Sequence, residues 1–172
     1  MRTWLWLFPV LTVLVGCGEP QGPLTEAELI SAGDEVCSKS NARLIELRET
    51  EEGVALEETD RAAIAIERLN EPGLETTRAL AALQPPPELA EPYARLIELR
   101  RERDSGLQAS AEALRAGEPG KAGNLQTEVI ELSEGRLRER AEEIGFEVCG
   151  QPLPPREREP LGRDADPAPA DR

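Results

Sequence analysis

The sequence predicts an all-α protein, an up-down-up-down four-helix bundle closed by a disulfide. Apolar residues recur every three or four positions through most of the chain, which is the helical period. Glycine and proline interrupt this pattern at only a few points, so long helices with short breaks are expected. Beyond residue 16 the only aromatic residues are Tyr93 and Phe146. A core of Leu, Ile, Val and Ala favours packed helices over strands.

The first helix is predicted to begin at a capping box. Thr25 is followed three positions later by Glu28, a spacing that lets each side chain accept a hydrogen bond from the other residue's backbone N–H. One face of the helix then carries small or apolar residues at helical spacing: Ile30, Gly33, Cys37, Leu44 and Leu47. This pattern places Cys37 on the buried stripe, and Gly53 is expected to end the helix.

The second helix is predicted from about Leu56, with a proline in its interior. Its apolar stripe includes Ala63, Ile66, Leu69, Leu80 and Leu83. Proline lacks an N–H and collides with the preceding turn of a helix. We therefore expect the second helix to be kinked or broken at Pro72–Gly73.

A proline run is predicted to precede the third helix, and a glycine-containing turn is predicted to precede the fourth. Pro85–Pro87 ends the second helix and opens the third, since proline is tolerated in a helix's first turn. The third helix carries Leu89, Tyr93, Leu96, Leu107, Ala111 and Leu114 on its apolar side. After a turn at Gly117–Gly120, the fourth carries Leu125, Val129, Leu132, Leu137, Ala141 and Ile144. Tyr93 is expected at a helix interface with its hydroxyl at the rim.

The heptapeptide ARLIELR occurs twice, at residues 42–48 and 94–100. It is either the trace of a duplicated helical hairpin or an amphipathic phrase that recurs because the chain is rich in these residues. The flanking sequences match poorly, which favours the second interpretation.

The N-terminus has the order of a secretory signal. Arg2 precedes a mostly apolar run from Trp4 to Val15, which is too short for a comfortable membrane span. The run ends in Leu-Val-Gly-Cys at residues 14–17, which resembles the lipobox of bacterial lipoproteins. The resemblance implies cleavage before Cys17 and a diacylglyceryl group on its sulfur. The expected location is extracytoplasmic, on a bacterial membrane; an ordinary signal peptide that happens to end near a cysteine is the alternative.

Two cysteines then remain, Cys37 and Cys149. In an exported protein they are best interpreted as a structural disulfide. Free thiols are the alternative, and a redox-active pair would more typically have the spacing C-x-x-C.

The chain as a whole is similar to small secreted helical lipoproteins of high-GC bacteria. The similarity lies in the lipobox, the early Cys37, the prolines before the helix with Tyr93, and the ending A-x-x-I-G-F-x-x-C-G at 141–150. It supports the disulfide and the bundle, and it implies no activity.

Four segments follow from these observations. Residues 1–16 form the signal peptide, and residues 17–24 the lipidated anchor and a short linker. Residues 25–149 form the helical bundle. Residues 150–172 are rich in proline and charge, which predicts a disordered tail.

Composition excludes several classes of function. The net charge is −14, so we expect no attraction to nucleic acid or to anionic lipid, and membrane contact must come from the lipid on Cys17. The chain contains no histidine. This absence removes Ser-His-Asp and Cys-His nucleophiles and histidine metal sites. We expect no cofactor.

An acidic cluster straddles the end of the first helix. It comprises Glu49, Glu51, Glu52, Glu57, Glu58 and Asp60. Such carboxylates can bind Ca²⁺, but the spacing matches no EF-hand loop, and acidic runs are typical of solvated faces. We therefore predict no metal site.

Three functions remain, and the sequence names catalytic residues for none of them. The first is a non-catalytic binding or interaction module of the cell envelope, with an envelope protein as a possible partner. The second is a carrier of a small apolar ligand or lipid in a bundle cavity. The third, a carboxylate-dependent hydrolase, is the weakest, since no carboxylate pair is marked out by an apolar setting.

Overall fold

The computed structural model describes residues 22–50 and 58–153, and within these ranges the protein is entirely helical, without strands. The long elements are α1 (Glu26–Thr50), α2 (Thr59–Ala81), α3 (Ala90–Arg115), α4 (Pro119–Leu132) and α5 (Arg138–Ile144). A 3₁₀ turn at Pro87–Leu89 precedes α3. One turn of π-helix, Ser133–Leu137, joins α4 to α5, so the predicted fourth helix is α4, the π-turn and α5 in succession.

Several predictions fall on residues outside the described ranges. These are the signal peptide, Cys17 and most of the linker, Gly53, the start of the second helix at Leu56, three carboxylates of the acidic cluster (Glu51, Glu52 and Glu57), and the tail beyond residue 153. Within the described ranges, none of the helices combines the length and apolarity needed to cross a membrane.

The predicted capping box and the predicted glycines after the third and fourth helices are present at helix ends in the structure. The Thr25 N–H donates to Glu28 Oε2 at 2.9 Å, and the Glu28 N–H donates to Thr25 Oγ1 at 3.3 Å, so the capping box is confirmed. Gly117 (φ 75°) and Gly145 (φ 95°) adopt left-handed conformations just past α3 and α5. At Gly145, the N–H of the following Phe146 donates to the Ala141 carbonyl at 3.0 Å, which is the bond of a Schellman cap.

Helix α2 is continuous through its proline. It runs from Thr59 to Ala81 with Pro72 inside it, so the predicted break is wrong and the kink stays a prediction. The Pro72 carbonyl accepts a bond from the Thr76 hydroxyl at 2.7 Å and another from the Ser40 hydroxyl of α1 at 3.3 Å. The first bond lies within α2, and the second connects the middle of α2 to α1.

The buried apolar residues form two clusters. The larger cluster surrounds the disulfide and includes Leu29, Leu80, Leu96, Ile144 and Phe146. The smaller cluster is rich in alanine and comprises Ala62, Ala63, Ala111, Ala113, Leu114 and Ala122. Along α2 and α3, the residues between the two clusters are polar, and they are described with the candidate site.

The predicted disulfide joins Cys37 to Cys149, with the two Cα atoms 5.3 Å apart. The same C-terminal segment is held by Asp34, one turn before Cys37. Its carboxylate accepts hydrogen bonds from the backbone N–H groups of Glu147, Val148 and Cys149 at 2.9–3.1 Å. The segment after α5 is therefore fixed to α1 by one covalent bond and three charge-assisted hydrogen bonds.

Tyr93 lies deeper than the sequence predicts. The residue is buried, and its hydroxyl donates to the Leu80 carbonyl at 2.6 Å instead of reaching the rim. Its ring centroid lies 6.4 Å from that of Phe146. The correction has a physical reason: the last turn of α2 offers the hydroxyl a buried acceptor, so it does not need water.

Tyr93 should resist ionisation in the folded protein. Burial raises the pKa of Tyr93 well above its ordinary value of 10.0, because the phenolate would lose its solvation. Between pH 10 and the folded pKa, only the unfolded chain releases the proton, so stability should fall as pH rises through this range.

An alkaline titration monitored at 295 nm tests this expectation. Tyr93 is the single tyrosine of the chain, so all tyrosinate absorbance comes from it. The absorbance should appear together with the loss of helical circular dichroism. Free tyrosine amide provides the control for an exposed phenol, and ionisation near pH 10 with the helices intact would contradict the buried position.

Candidate functional site

A layer of polar side chains separates the two apolar clusters. Asn70 and Thr77 lie on the stripe of α2 that otherwise faces the core, and Arg100 and Asp104 hold the facing positions of α3. All four are buried. Burying polar and charged groups costs free energy unless they find partners, so this layer marks the unusual region of the molecule.

The polar layer is bonded through a threonine hydroxyl. Thr77 Oγ1 donates to Asp104 Oδ2 at 2.6 Å and accepts a longer bond from Arg100 Nε at 3.4 Å. Asn70 Nδ2 donates to the Asp104 backbone carbonyl at 3.1 Å. Asp104 thus receives bonds from two residues of α2, which fixes the register of α2 against α3.

Positive charge exceeds negative charge in the layer once the neighbouring Arg103 is included. Arg103 Nε lies 3.6 Å from Asp104 Oδ1, so the guanidinium groups of Arg100 and Arg103 share one carboxylate. Burial, and then the neighbouring charge of Arg103, lowers the pKa of Arg100 to about 10. In the described part of the chain, Asp104 Oδ1 and Asn70 Oδ1 are buried without a hydrogen-bond partner. The layer and Arg103 together therefore contain two guanidinium groups and one carboxylate, and two buried oxygen atoms of the layer accept no hydrogen bond from the described residues.

Arg103 reaches its position across a glycine. A Cβ atom placed on Gly73 of α2 would lie 2.4 Å from Arg103 Nη2 and 3.2 Å from Asp104 Oδ1. Only a residue without a side chain leaves this space, so Gly73 lets the guanidinium lie directly against the α2 backbone.

A cleft of about 720 Å³ opens beside the polar layer. It lies between α1 on one side and α4, the π-turn and the start of α5 on the other, with α3 behind it. Arg100 and Arg103 contribute to its lining from α3. The volume is in the range of pockets that bind small ligands.

The lining of the cleft is basic and apolar. Four arginines line it, Arg48, Arg100, Arg103 and Arg138, with Glu134 as the one carboxylate among its described lining residues. The apolar lining consists of Leu44, Val129, Ile130, Leu137, Val148, Pro152 and Leu153. The lining of the cleft therefore contains more cationic than anionic side chains, although the net charge of the chain is −14.

The π-turn forms part of the cleft wall. Ser133, Glu134 and Leu137 of this turn line the cleft, and the Ser133 hydroxyl donates to the Val129 carbonyl at 2.7 Å. Single π-turns within α-helices occur frequently at functional sites. Here the turn contributes Leu137 to both the cleft and the core.

Both copies of the heptapeptide contribute a residue to this cleft. The equivalent isoleucines of the two copies differ in burial. The last residue of each copy, Arg48 and Arg100, lines the cleft. Ile97 in the second copy is buried at 6 % exposure, whereas the equivalent Ile45 of α1 is 37 % exposed. The α1 copy is therefore less buried than the α3 copy at this position.

The predicted site residues have separate outcomes. Cys37 and Cys149 are brought together as a disulfide, and Cys37 also lines the cleft. Of the acidic cluster, Glu49, Glu58 and Asp60 are described, and residues 22–50 and 58–153 contain no group of three or more acidic or cysteine side chains placed to hold a metal. The prediction for Cys17 concerns a residue outside these ranges.

The polar layer is not among the predicted sites, although the sequence of α3 contains a signal for it. Between Leu99 and Leu107, α3 carries no apolar side chain. Continuing the helical spacing through this gap places Arg100 and Asp104 on the same buried face. Charged residues at core positions of an otherwise apolar stripe would have indicated the site.

Comparison with known protein families, curated proteins and solved structures finds no match to this chain.

Proposed function

We propose that this protein is a lipid-anchored binding protein of the bacterial cell envelope that holds a small ligand in the cleft between α1 and α4. The cleft carries the proposal, because it combines a ligand-sized volume with apolar walls and a few convergent polar groups. This function joins the binding module and the ligand carrier expected from the sequence. An envelope protein that docks on the bundle is the second candidate, favoured by the exposed Ile45, Ile64 and Ile130.

The proposed architecture is an up-down-up-down bundle with α2 kinked at Pro72. Contacts between successive helices support an arrangement in which neighbouring helices run in opposite directions. In α1 and α2, Arg43 bonds Glu75 while Leu24 bonds Gln84. The pairs from α2 to α3 are Asn70 with Asp104 and Leu80 with Tyr93. Those from α3 to the fourth helix are Ser110 with Ala122 and Glu102 with Arg136.

We assign no reaction to the cleft. A carboxylate-dependent hydrolase requires two carboxyl groups that flank the scissile bond, and the described lining offers Glu134 beside arginines and apolar side chains. Binding without turnover is the function that this lining supports.

The proposed location rests on the N-terminal sequence. The lipobox-like Leu14–Cys17 motif implies a diacylglyceryl anchor, and two acyl chains bind a membrane stably where one does not. The linker predicted between Cys17 and α1 is short, so the bundle and its cleft would remain close to the membrane surface.

Solvent extraction of the full chain from host membranes tests the function. We expect a small amphipathic molecule in the extract, and an N-terminal peptide that begins at Cys17 with the mass of a lipid. Ile130 and Ile64 are both exposed, but only Ile130 lines the cleft. Ile130→Glu should lower the amount of extracted ligand several-fold, because a carboxylate at the cleft wall disfavours an apolar chain. Ile64→Glu is the matched control and should leave it unchanged.

Two results would contradict the proposal. An extract without any recurrent small molecule, together with one protein that is cross-linked reproducibly in cells, would identify a protein-interaction module instead. An unmodified Cys17 in the purified protein would remove the lipid anchor.

A further inference from the structure

We infer that the ligand of the cleft is an amphiphile with one anionic head group, a carboxylate or a phosphate ester, bound by Arg100 and Arg103 with its acyl chain along the apolar wall. The inference rests on the proposed function and names the class of ligand that the cleft would hold.

Arg100 provides a buried donor that faces the cleft. The residue is only 6 % exposed, yet it lines the cleft. Its one hydrogen bond within residues 22–50 and 58–153 runs from Nε to Thr77 Oγ1 at 3.4 Å. A guanidinium carries five N–H donors, so the donors on its two terminal nitrogens remain for a group in the cleft. Arg100 therefore has unused donor capacity beside the cleft.

Arg103 makes the site a two-arginine site. Its side chain is 17 % exposed and reaches Asp104 Oδ1 only at 3.6 Å. With one carboxylate between two guanidinium groups, a single bound anion would balance the local charge. Guanidinium groups match carboxylate and phosphate oxygens geometrically and can bind them in pairs.

The protein's overall charge favours a head group of low charge. The chain carries a net charge of −14, so a polyanion approaching the cleft is repelled by the surrounding surface. A head group with one or two negative charges meets less of this repulsion than a polyanion does, and it can still contact both arginines. The cleft is therefore suited to a fatty acid or a monoalkyl phosphate better than to a nucleotide.

The apolar wall accounts for the remainder of the ligand. Val129, Ile130 and Leu137 extend the cleft along α4 and the π-turn, and Val148 and Leu153 extend it along the C-terminal segment. Ile130 is among the most exposed large apolar side chains of the described chain. Covering these side chains with an acyl chain would bury apolar area that no described helix covers.

Photo-labelling distinguishes the head group from the chain. The full chain is placed in phosphatidylcholine nanodiscs and exposed to three hexadecyl probes with a diazirine in the chain: the acid, the phosphate monoester and the alcohol. We expect the acid or the phosphate to label the apolar wall at residues 129–137. The alcohol, which lacks a charge for the arginines, should label it about tenfold less.

Arginine variants assign the head-group site. Arg103→Gln should lower labelling by the anionic probes about tenfold, and Arg100→Gln should do the same. Arg95→Gln is the matched control, since Arg95 lies on the same helix, is exposed and does not line the cleft. Arg103 is the primary variant because its only described ion pair is long, and a circular dichroism melt of each variant verifies the fold.

The outcomes separate the inference from the proposed function. Equal labelling by the alcohol and the acid, unchanged in Arg103→Gln, would overturn the anionic head group while retaining a cleft that binds apolar ligands. An absence of labelling at residues 129–137 with all three probes would overturn both. Displacement of the acid by an equal concentration of inorganic phosphate would overturn the requirement for an acyl chain.

Discussion

Reduction of the disulfide between Cys37 and Cys149 is expected to lower the free energy of unfolding by about 4 kcal/mol. The two cysteines are 112 positions apart, so the covalent link removes a large loop-closure entropy from the unfolded chain. Without it, the segment after α5 is held by the three backbone bonds to Asp34 and by the packing of Phe146.

Urea titration followed by circular dichroism, with and without reductant, measures this loss. The Cys37→Ser/Cys149→Ser double variant should unfold at the lower urea concentration of the reduced protein, and reductant should not change its midpoint. Hydrogen exchange adds a local readout, because the amides of Glu147, Val148 and Cys149 should lose protection first on reduction. An unchanged midpoint for the reduced wild-type chain would contradict the stabilising role.

Removal of the Asp104 carboxylate is expected to cost about 3–5 kcal/mol. Asp104→Ala leaves the buried Arg100 and the partly buried Arg103 without their shared counter-charge, and it leaves the Thr77 hydroxyl without its acceptor. Breaking a buried charge pair costs more than breaking an exposed one, because the remaining charge cannot be solvated.

Matched variants separate this effect from the loss of any acidic residue in α3. Glu98 is an exposed partner of Arg95, so Glu98→Ala should cost less than about 1 kcal/mol in the same urea titration. The double variant Arg100→Met/Asp104→Leu should recover most of the stability, because it replaces the charges with apolar side chains of similar size. Equal costs for Asp104→Ala and Glu98→Ala would contradict the buried layer.

The features that the sequence predicts well are those encoded by local patterns or by few residues. The Thr25–Glu28 capping box is such a case, since its two bonds depend on residues three positions apart. The disulfide can be predicted because only two cysteines remain beyond Cys17, and each has only the other to pair with. Helical spacing likewise identifies some of the residues in the two apolar clusters, among them Leu80, Leu96 and Leu114.

The candidate site depends on contacts between helices, which local patterns do not specify. Arg100 and Asp104 are spaced as a solvent-exposed i,i+4 pair would be. Helical spacing places them on the buried face of α3, but it does not reveal the bond from Thr77 or the space at Gly73 on the opposite helix. The two copies of the heptapeptide show the same dependence on neighbouring helices, because Ile97 is buried in α3 whereas the equivalent Ile45 is partly exposed in α1. The hydroxyl of Tyr93 and the continuity of α2 through Pro72 also depend on neighbours that a single helix does not reveal.

The positions of the two bonded cysteines in the sequence also determine when, during synthesis of the chain, the disulfide can form. A ribosome releases Cys37 early and Cys149 only after every helix has been synthesised. The disulfide therefore cannot form until all the described helices have been synthesised, and a chain that ends before Cys149 cannot form the bond between Cys37 and Cys149. The disulfide can therefore be present only in chains that have been synthesised at least as far as Cys149.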